Sequence, residues 1–390
     1  MAAHERNRVA LALLAAAALG GLTGGCGTTF KLPNEVRGSS NTAGQGTYLR
    51  IATWEGMTGI QDLLLTPGGE LFLVFQDPVA RTGQVRRYPQ SNPVPLSTTF
   101  PGLLNPTAIC SGGNRIFVLD QGDSSAARSN FPCLYTAEYN ADINRAAVTL
   151  QGFSRPITNV AAYWHVREYL LDGTPVNSFT DTSFAWVSGV AADASGRVYV
   201  SGMIMYCDVD PYNDHVRTLE YRFRIRRYEP GTGDPYVTDG PWRKDLTYKL
   251  LDGTGFGSAK DPRGMQWAAP QGPALYFADF GNNQAQKYAD PSGLAQSFKL
   301  DIGGSGPDSM LLSQPVDVAV DSAGFVYVAD AGNLRVLRYD PDGIFVQRVD
   351  WNVGDVMRPL ARPVAVAADN RQVYIADRGA AQVLRFRRRD

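Results

Sequence analysis

Histidine is nearly absent from this sequence. The 390 residues hold three, and only His165 and His215 lie beyond residue 25. A zinc site built on imidazoles would need more ligands than that. Four cysteines occur, at positions 26, 110, 133 and 207, and none belongs to a C-x-x-C-H sequence, which excludes ordinary covalent haem attachment. There is no G-x-S-x-G nucleophile elbow and no P-loop. An excess of one charge is also lacking. The net charge is −1, and beyond residue 25 there are 35 basic and 37 acidic residues, so no basic field draws nucleic acid. The cluster Arg387, Arg388, Arg389 reads as the charged end of a strand near a sheet edge. No apolar run is long enough to span a bilayer: Val9 to Leu22 is uncharged over 14 residues, where about 20 are needed.

That short run has another reading. It follows Arg6 and Arg8 and ends in Leu22-Thr23-Gly24-Gly25-Cys26, the pattern of a signal peptide closed by small residues before a cysteine. It resembles a bacterial lipobox, with Cys26 as the lipidated residue, although the leucine stands four positions before the cysteine and not three. Gly27 follows the cysteine, and no aspartate there points to the inner membrane, so an outer-membrane address is expected. Residues 27–46 are rich in Ser, Asn, Thr and Gly without apolar periodicity. As a flexible coil such a tether spans roughly 25 Å. The expected organisation is therefore a signal peptide over 1–25, a lipid-anchored tether over 26–46 and one folded domain over 47–390.

Glycine (40), proline (24) and aromatics (11%) are plentiful, as in a chain of short strands and turns. One unit recurs six times. Its clearest copy runs Pro315-Val316-Asp317-Val318-Ala319-Val320-Asp321-Ser322-Ala323-Gly324, followed by Val326-Tyr327-Val328-Ala329-Asp330. The second strands carry Phe72, Phe117, Tyr199, Tyr276, Tyr327 and Tyr374; the third strands end in Arg87-Tyr88, Glu168-Tyr169, Arg227-Tyr228, Lys287-Tyr288, Arg338-Tyr339 and Arg385-Phe386. Four strands per unit and a period near 47 residues in the last copies predict an all-β fold, a six-bladed β-propeller of four-stranded antiparallel blades. The last copy lacks a fourth strand. Residues 47–54 match residues 344–351 in pattern, which predicts that an N-terminal strand completes the last blade.

The copies at 315–343 and 363–386 resemble NHL repeats, with Val326-Tyr327-Val328-Ala329-Asp330-Ala331-Gly332-Asn333 and Val373-Tyr374-Ile375-Ala376-Asp377-Arg378-Gly379 carrying the likeness. The copy at 273–288 is similar; those at 59–88, 105–169 and 189–228 diverge. The resemblance implies a propeller, and implies binding more often than catalysis. A fold alone assigns no function.

Function is expected where the copies differ. The second-strand and third-strand aromatics are 12 residues apart in the last three copies, but 16, 52 and 29 apart in the first three. Blades two and three thus carry insertions of some 40 and 17 residues that must rise from one face. These hold Tyr135, Tyr139, Tyr163, Trp164, Met203, Met205, Tyr206 and Tyr212, candidates for an adaptable contact surface or for packing the insertions onto the ring. Cys133 and Cys207 lie in the two insertions and form a candidate disulfide, with Cys110–Cys133 as the rival pairing; Cys110 itself aligns with an inner strand and reads as a buried small hydrophobe. Asp208, Asp210 and Asp214 are spaced like oxygen ligands for Ca²⁺, but the EF-hand glycine is missing and position twelve is Leu219, so a solvated turn is the favoured reading and no cofactor is expected. Asp120, Asp279, Asp330 and Asp377 recur three residues after the second-strand aromatic, replaced by Phe75 and Gly202 in blades one and three. A repeated position suggests a repeated structural task, accepting backbone N–H groups at a loop start.

The expectation is a monomeric, non-catalytic binding or scaffold protein held to a membrane by lipid, taking an envelope protein, peptide or glycan on its insertion-bearing face and no nucleic acid. The alternative is a metal-dependent lactonase- or lyase-like enzyme acting at the central channel, which would need carboxylates converging there.

Overall fold

A computed structural model describes residues 48–389, apart from 78–79, 81, 91, 123–133, 136–163, 182–183, 210–215, 232–236, 239, 246–250, 253–257, 290–296, 303–310 and 350–359. Of the insertion strands, residues 134–135, 205–209 and 216–221 are described by backbone only.

The domain is a ring of six antiparallel blades. In blade five, Pro315–Val320, Val326–Asp330, Arg335–Tyr339 and Phe345–Arg348 pair in simple up-and-down order. Blade four repeats this with Pro262–Ala268, Ala274–Asp279, Gln284–Ala289 and Ser297–Ile302. Blades two and three use Pro106–Gly112, Arg115–Asp120, His165–Leu170 and Pro175–Asp181, then Phe184–Ala192, Val198–Val209, Val216–Pro230 and Trp242–Asp245. Blade one shows three strands among the described residues, Ile60–Leu65, Glu70–Asp77 and Thr82–Pro89. Where a fourth was expected, Leu96 N–H donates to Arg87 O.

The turn between first and second strands follows from its residues. In Asp321-Ser322-Ala323-Gly324, the Asp321 carboxylate accepts the N–H of Ala323 and of Phe325, while Gly324 takes φ +89°. Asp193 does the same for Ser195 and Arg197. Tyr199 and Tyr327 in the adjoining second strands donate their hydroxyls to Asp193 and Asp321.

No blade can cover its own two faces, and the core is accordingly divided into six apolar layers, one between each pair of neighbours. All twelve of the recurring aromatics are buried in them, at 3% exposure or less.

The ring closes as expected, with one correction. Strand Tyr48–Trp54 pairs with Gln382–Arg388 and supplies the outer strand of blade six. Its register, however, sets Thr53 opposite Leu384, as Arg348 is opposite Leu337 in blade five. Thr53 therefore takes the place of Arg348, two residues along from the position that the sequence pattern suggested. A slip of two keeps every side chain on its own face, so alternation cannot reveal it. The strand ties the seam from both sides. Trp54 packs on Tyr88 of blade one and Tyr374 of blade six, at ring distances of 5.6 and 6.2 Å. The Tyr48 hydroxyl lies 2.8 Å from that of Tyr327 in blade five.

Candidate functional site

The insertions and the loops between blades share one face, here the upper face. Every first strand begins there, runs inward next to the ring axis and carries a β-bulge near its start, at Gln61, Thr107, Ser188, Gly264, Val316 and Val364. The six first strands touch one another in cyclic order. A bulge re-aims side chains and turns backbone groups out of the ladder. Here those groups are captured by the neighbouring blade. Gln76 Nε2 donates to Pro106 O at 2.9 Å, Gln121 Nε2 to Val187 O at 2.9 Å, and Ser188 Oγ to Pro262 O at 2.6 Å. At the closing seam Arg378 Nη1 donates to Gln61 Oε1 at 2.9 Å. Burial and the charge of Arg362 hold the Arg378 guanidinium below its ordinary pKa. Across the ring, Arg263 pairs with Asp261 and lies 3.6 Å over the Phe280 ring.

One step deeper are two carboxylates, Asp62 of blade one and Asp317 of blade five, where the equivalent positions are Ala108, Gly189, Gly264 and Ala365. Each accepts an N–H from the next blade: Ile109 N–H to Asp62 and Val366 N–H to Asp317, both at 2.8 Å. Burial pushes the Asp62 carboxyl up to about 7. Burial, and then the charge of Asp62, raise Asp317 well above the usual carboxylate range. Both remain engaged in joining blades. Sequence reasoning missed them, although an acidic residue at a position otherwise held by Ala or Gly was a usable signal.

The recurring aspartates do the structural work expected of them. Asp330 accepts the N–H of Ser313 and binds Asn333 and Arg335. Asp377 accepts from Ala361 and Arg362, and Asp120 from Leu104 and Asn105 and from Arg167. Asp279 accepts from Lys260, Asn282 and Gln286, and burial raises it to about 6. In blade one the strands run on to Asp77↔Thr82, and it is Asp77 that accepts the Ala80 N–H. In blade three the strands continue through Gly202, so no loop starts there. A Cβ at Gly202 would lie 2.1 Å from Trp186 O.

That continuation builds the main feature of the upper face. The second and third strands of blade three stay paired from Val198↔Tyr228 out to Val209↔Val216, a long hairpin standing beyond the ring. The first strand accompanies it only as far as Phe184↔Ile204. Beyond that point blade two's insertion supplies a strand, Leu134–Tyr135, parallel to Tyr206–Cys207. The two insertions are thus one sheet.

The candidate contact residues divide accordingly. Tyr135, Met205 and Tyr206 lie on the joined strands. Met203 is half-buried, paired with Trp186 and Phe223. Trp164 is fully buried against Phe184 in the layer between blades two and three, so it anchors the insertion and offers no contact surface. Tyr139, Tyr163 and Tyr212 lie outside the described residues, as do Asp210, Asp214 and the Asp208 side chain. The Cys133–Cys207 pairing also falls outside them, since Cys133 is not described. Cys110 is a free, buried thiol, as its place on an inner strand led one to expect. Among the described residues, no three His, Cys, Asp or Glu side chains are grouped to hold a metal ion, and no helix is long and apolar enough to cross a membrane.

A family model described as NHL repeat matches residues 312–339, the first three strands of blade five. No curated protein sequence matches the chain. Among solved structures, the fold is similar to a structural genomics protein of unknown function from Bacteroides thetaiotaomicron (12% identity over 85% of this chain and 69% of that one, TM-score 0.48). It is similar to the PQQ-bound aldose sugar dehydrogenase from Streptomyces coelicolor (14%, 88% and 98%, TM-score 0.46) and to virginiamycin B lyase from Staphylococcus aureus (11%, 87% and 98%, TM-score 0.43). Blade count and closure rest on the strand pairing of this chain itself. The chain is a six-bladed β-propeller that carries an NHL repeat in its fifth blade.

Proposed function

We propose that this protein is a membrane-tethered binding protein that captures an envelope protein, peptide or glycan on its upper face. The observation that carries the reading is the shared sheet of the two insertions, Leu134–Tyr135 on Tyr206–Cys207. Main-chain pairing between two separate insertions pre-organises the surface and lowers the cost of ordering it when a partner arrives. The route of the chain supports the same reading. The closing strand runs antiparallel to a third strand that descends from the upper face, so Tyr48 enters at the lower end and Trp54 leaves at the upper. Tyr48, where the described chain begins, thus lies at the end of the blade opposite the insertions. The recurring carboxylates support binding over catalysis, because each is committed to backbone N–H groups of the segment that enters its own blade.

The test is to replace residues 123–160 by a short turn in the full chain and to compare partner capture from envelope extracts by quantitative proteomics. The expected result is an unchanged melting temperature, because Asp120↔His165 already closes the blade at ring level, together with loss of the captured partner. Capture undiminished by the deletion would place binding elsewhere.

A further inference from the structure

The lower face has a feature of its own. Between blades two and three, opposite the insertions, is a cleft of about 270 Å³. Its rim is formed by the first turn of each blade, residues 112–115 and 194–196, and its walls by Phe117, Glu168, Asn177, Trp242 and two prolines.

Three observations bear on what it can hold. Its charged pair is inverted relative to that of blade one. The residue before the third-strand aromatic is Arg or Lys in five blades, and in blade one Arg87 pairs with Glu70 at the start of the second strand. Only blade two places a carboxylate there, Glu168, facing Arg115 with Nε 3.4 Å from Oε1. Next, Glu168 is only 9% exposed, and its other oxygen accepts Asn177 Nδ2 at 3.2 Å, so the carboxylate links a guanidinium and an amide. Finally, Trp242 is 4% exposed and packs on Phe117 and Phe179, and its indole N–H, like those of Trp164 and Trp267, has no hydrogen-bond partner within the protein.

We propose that this cleft is a binding site for a single neutral sugar ring. The charges of Arg115 and Glu168 cancel, which disfavours an ion. A guanidinium, a carboxylate and an amide side by side suit adjacent hydroxyl groups, each of which both donates and accepts. The exposed Pro230 and Pro241 offer an apolar edge to the C–H face of the ring, and the Trp242 N–H supplies one further donor. The volume lies below the roughly 300 Å³ at which sites for drug-sized ligands begin, so one ring fits and a chain must run outward. The inference does not depend on the upper-face reading, because the two sites share no residue.

The experiment titrates the full chain with D-glucose and with N-acetyl-D-glucosamine, with L-glutamine as the zwitterionic control, followed by saturation-transfer NMR and tryptophan fluorescence. One of the two sugars is expected to bind with a dissociation constant of about a millimolar. Asn177→Ala, at an exposed position, and Trp242→Phe, which keeps the apolar wall, should each weaken it about tenfold. Asn177→Ala should also leave the melting temperature unchanged. No saturation transfer from either sugar, binding by glutamine alone, or equal affinity in both variants would overturn the proposal. The deletion of residues 123–160 should leave sugar binding intact, so failure here and failure on the upper face are read separately.

Discussion

Blades five and three start from the same repeat and end differently. In blade five the second strand stops at Asp330, and the carboxylate caps the turn that leads to the third. In blade three the same position is Gly202, the strands run on together, and the blade grows a hairpin beyond the ring. Blade one is an intermediate case, with two further residues on each strand and the capping aspartate moved to Asp77. The comparison teaches that the aspartate marks the end of a hairpin and not a fixed ring position. Where it is missing, the sheet has been extended, and the extension is where new surface has been added.

The comparison can be broken or sharpened. The largest effect is expected at the seam that every blade depends on. Trp54→Ala opens a cavity between blades six and one and should cost about 4 kcal/mol in chemical denaturation. A single cooperative transition should persist, because the ring unfolds as a unit. Next come the capping aspartates. Asp330→Ala removes the carboxylate partner of Arg335, whose side chain is 10% exposed and keeps its bond to Leu311 O, and should cost about 3 kcal/mol. Asp120→Ala in the inserted blade two releases Arg167, 24% exposed, and should cost visibly less by the same measurement. Equal losses would mean that capping of the loop, and not loss of the ion pair, sets the scale.

The smallest effect is one of pH. The Asp62 carboxyl is raised by burial from its ordinary value of 3.8 to about 7. The folded chain therefore holds a proton that the unfolded chain releases above about pH 4, and stability falls as pH rises from there to about 7. Asp317, raised by burial and by Asp62, acts in the same direction, and the Cys110 thiol beside them is pushed up as well. Asp62→Asn should flatten the decline in melting temperature between about pH 5 and about pH 8. An unchanged slope would show that Asp62 keeps its charge through this range.

Much of this was legible in the sequence. The twelve aromatics, the Asp-x-x-Gly turns and the borrowed outer strand all express local chemistry that repeats, and repetition makes it readable. The register of the closing strand was not, because two-residue periodicity is blind to a slip of two. The six bulges were not, because an extra residue shows itself only against a paired neighbour. Trp164 had the composition of a contact residue but the position of an anchor, one residue before the third strand resumes at His165. Asp62 and Asp317 were present as exceptions to a small-residue position, but their N–H partners belong to the next blade, and no local pattern points there.

The closing strand also fixes when the ring can become a ring. Tyr48 pairs with Arg388, 340 residues away, and such non-local pairing is slow to form because loop closure comes before any reward. Five blades can stack in sequence as the chain emerges, each resting on the one before. The sixth waits for both ends. Until they meet, the apolar layer around Trp54 and Tyr374 has only one wall, so the last step of folding is also the one during which the chain most needs to be kept from its neighbours.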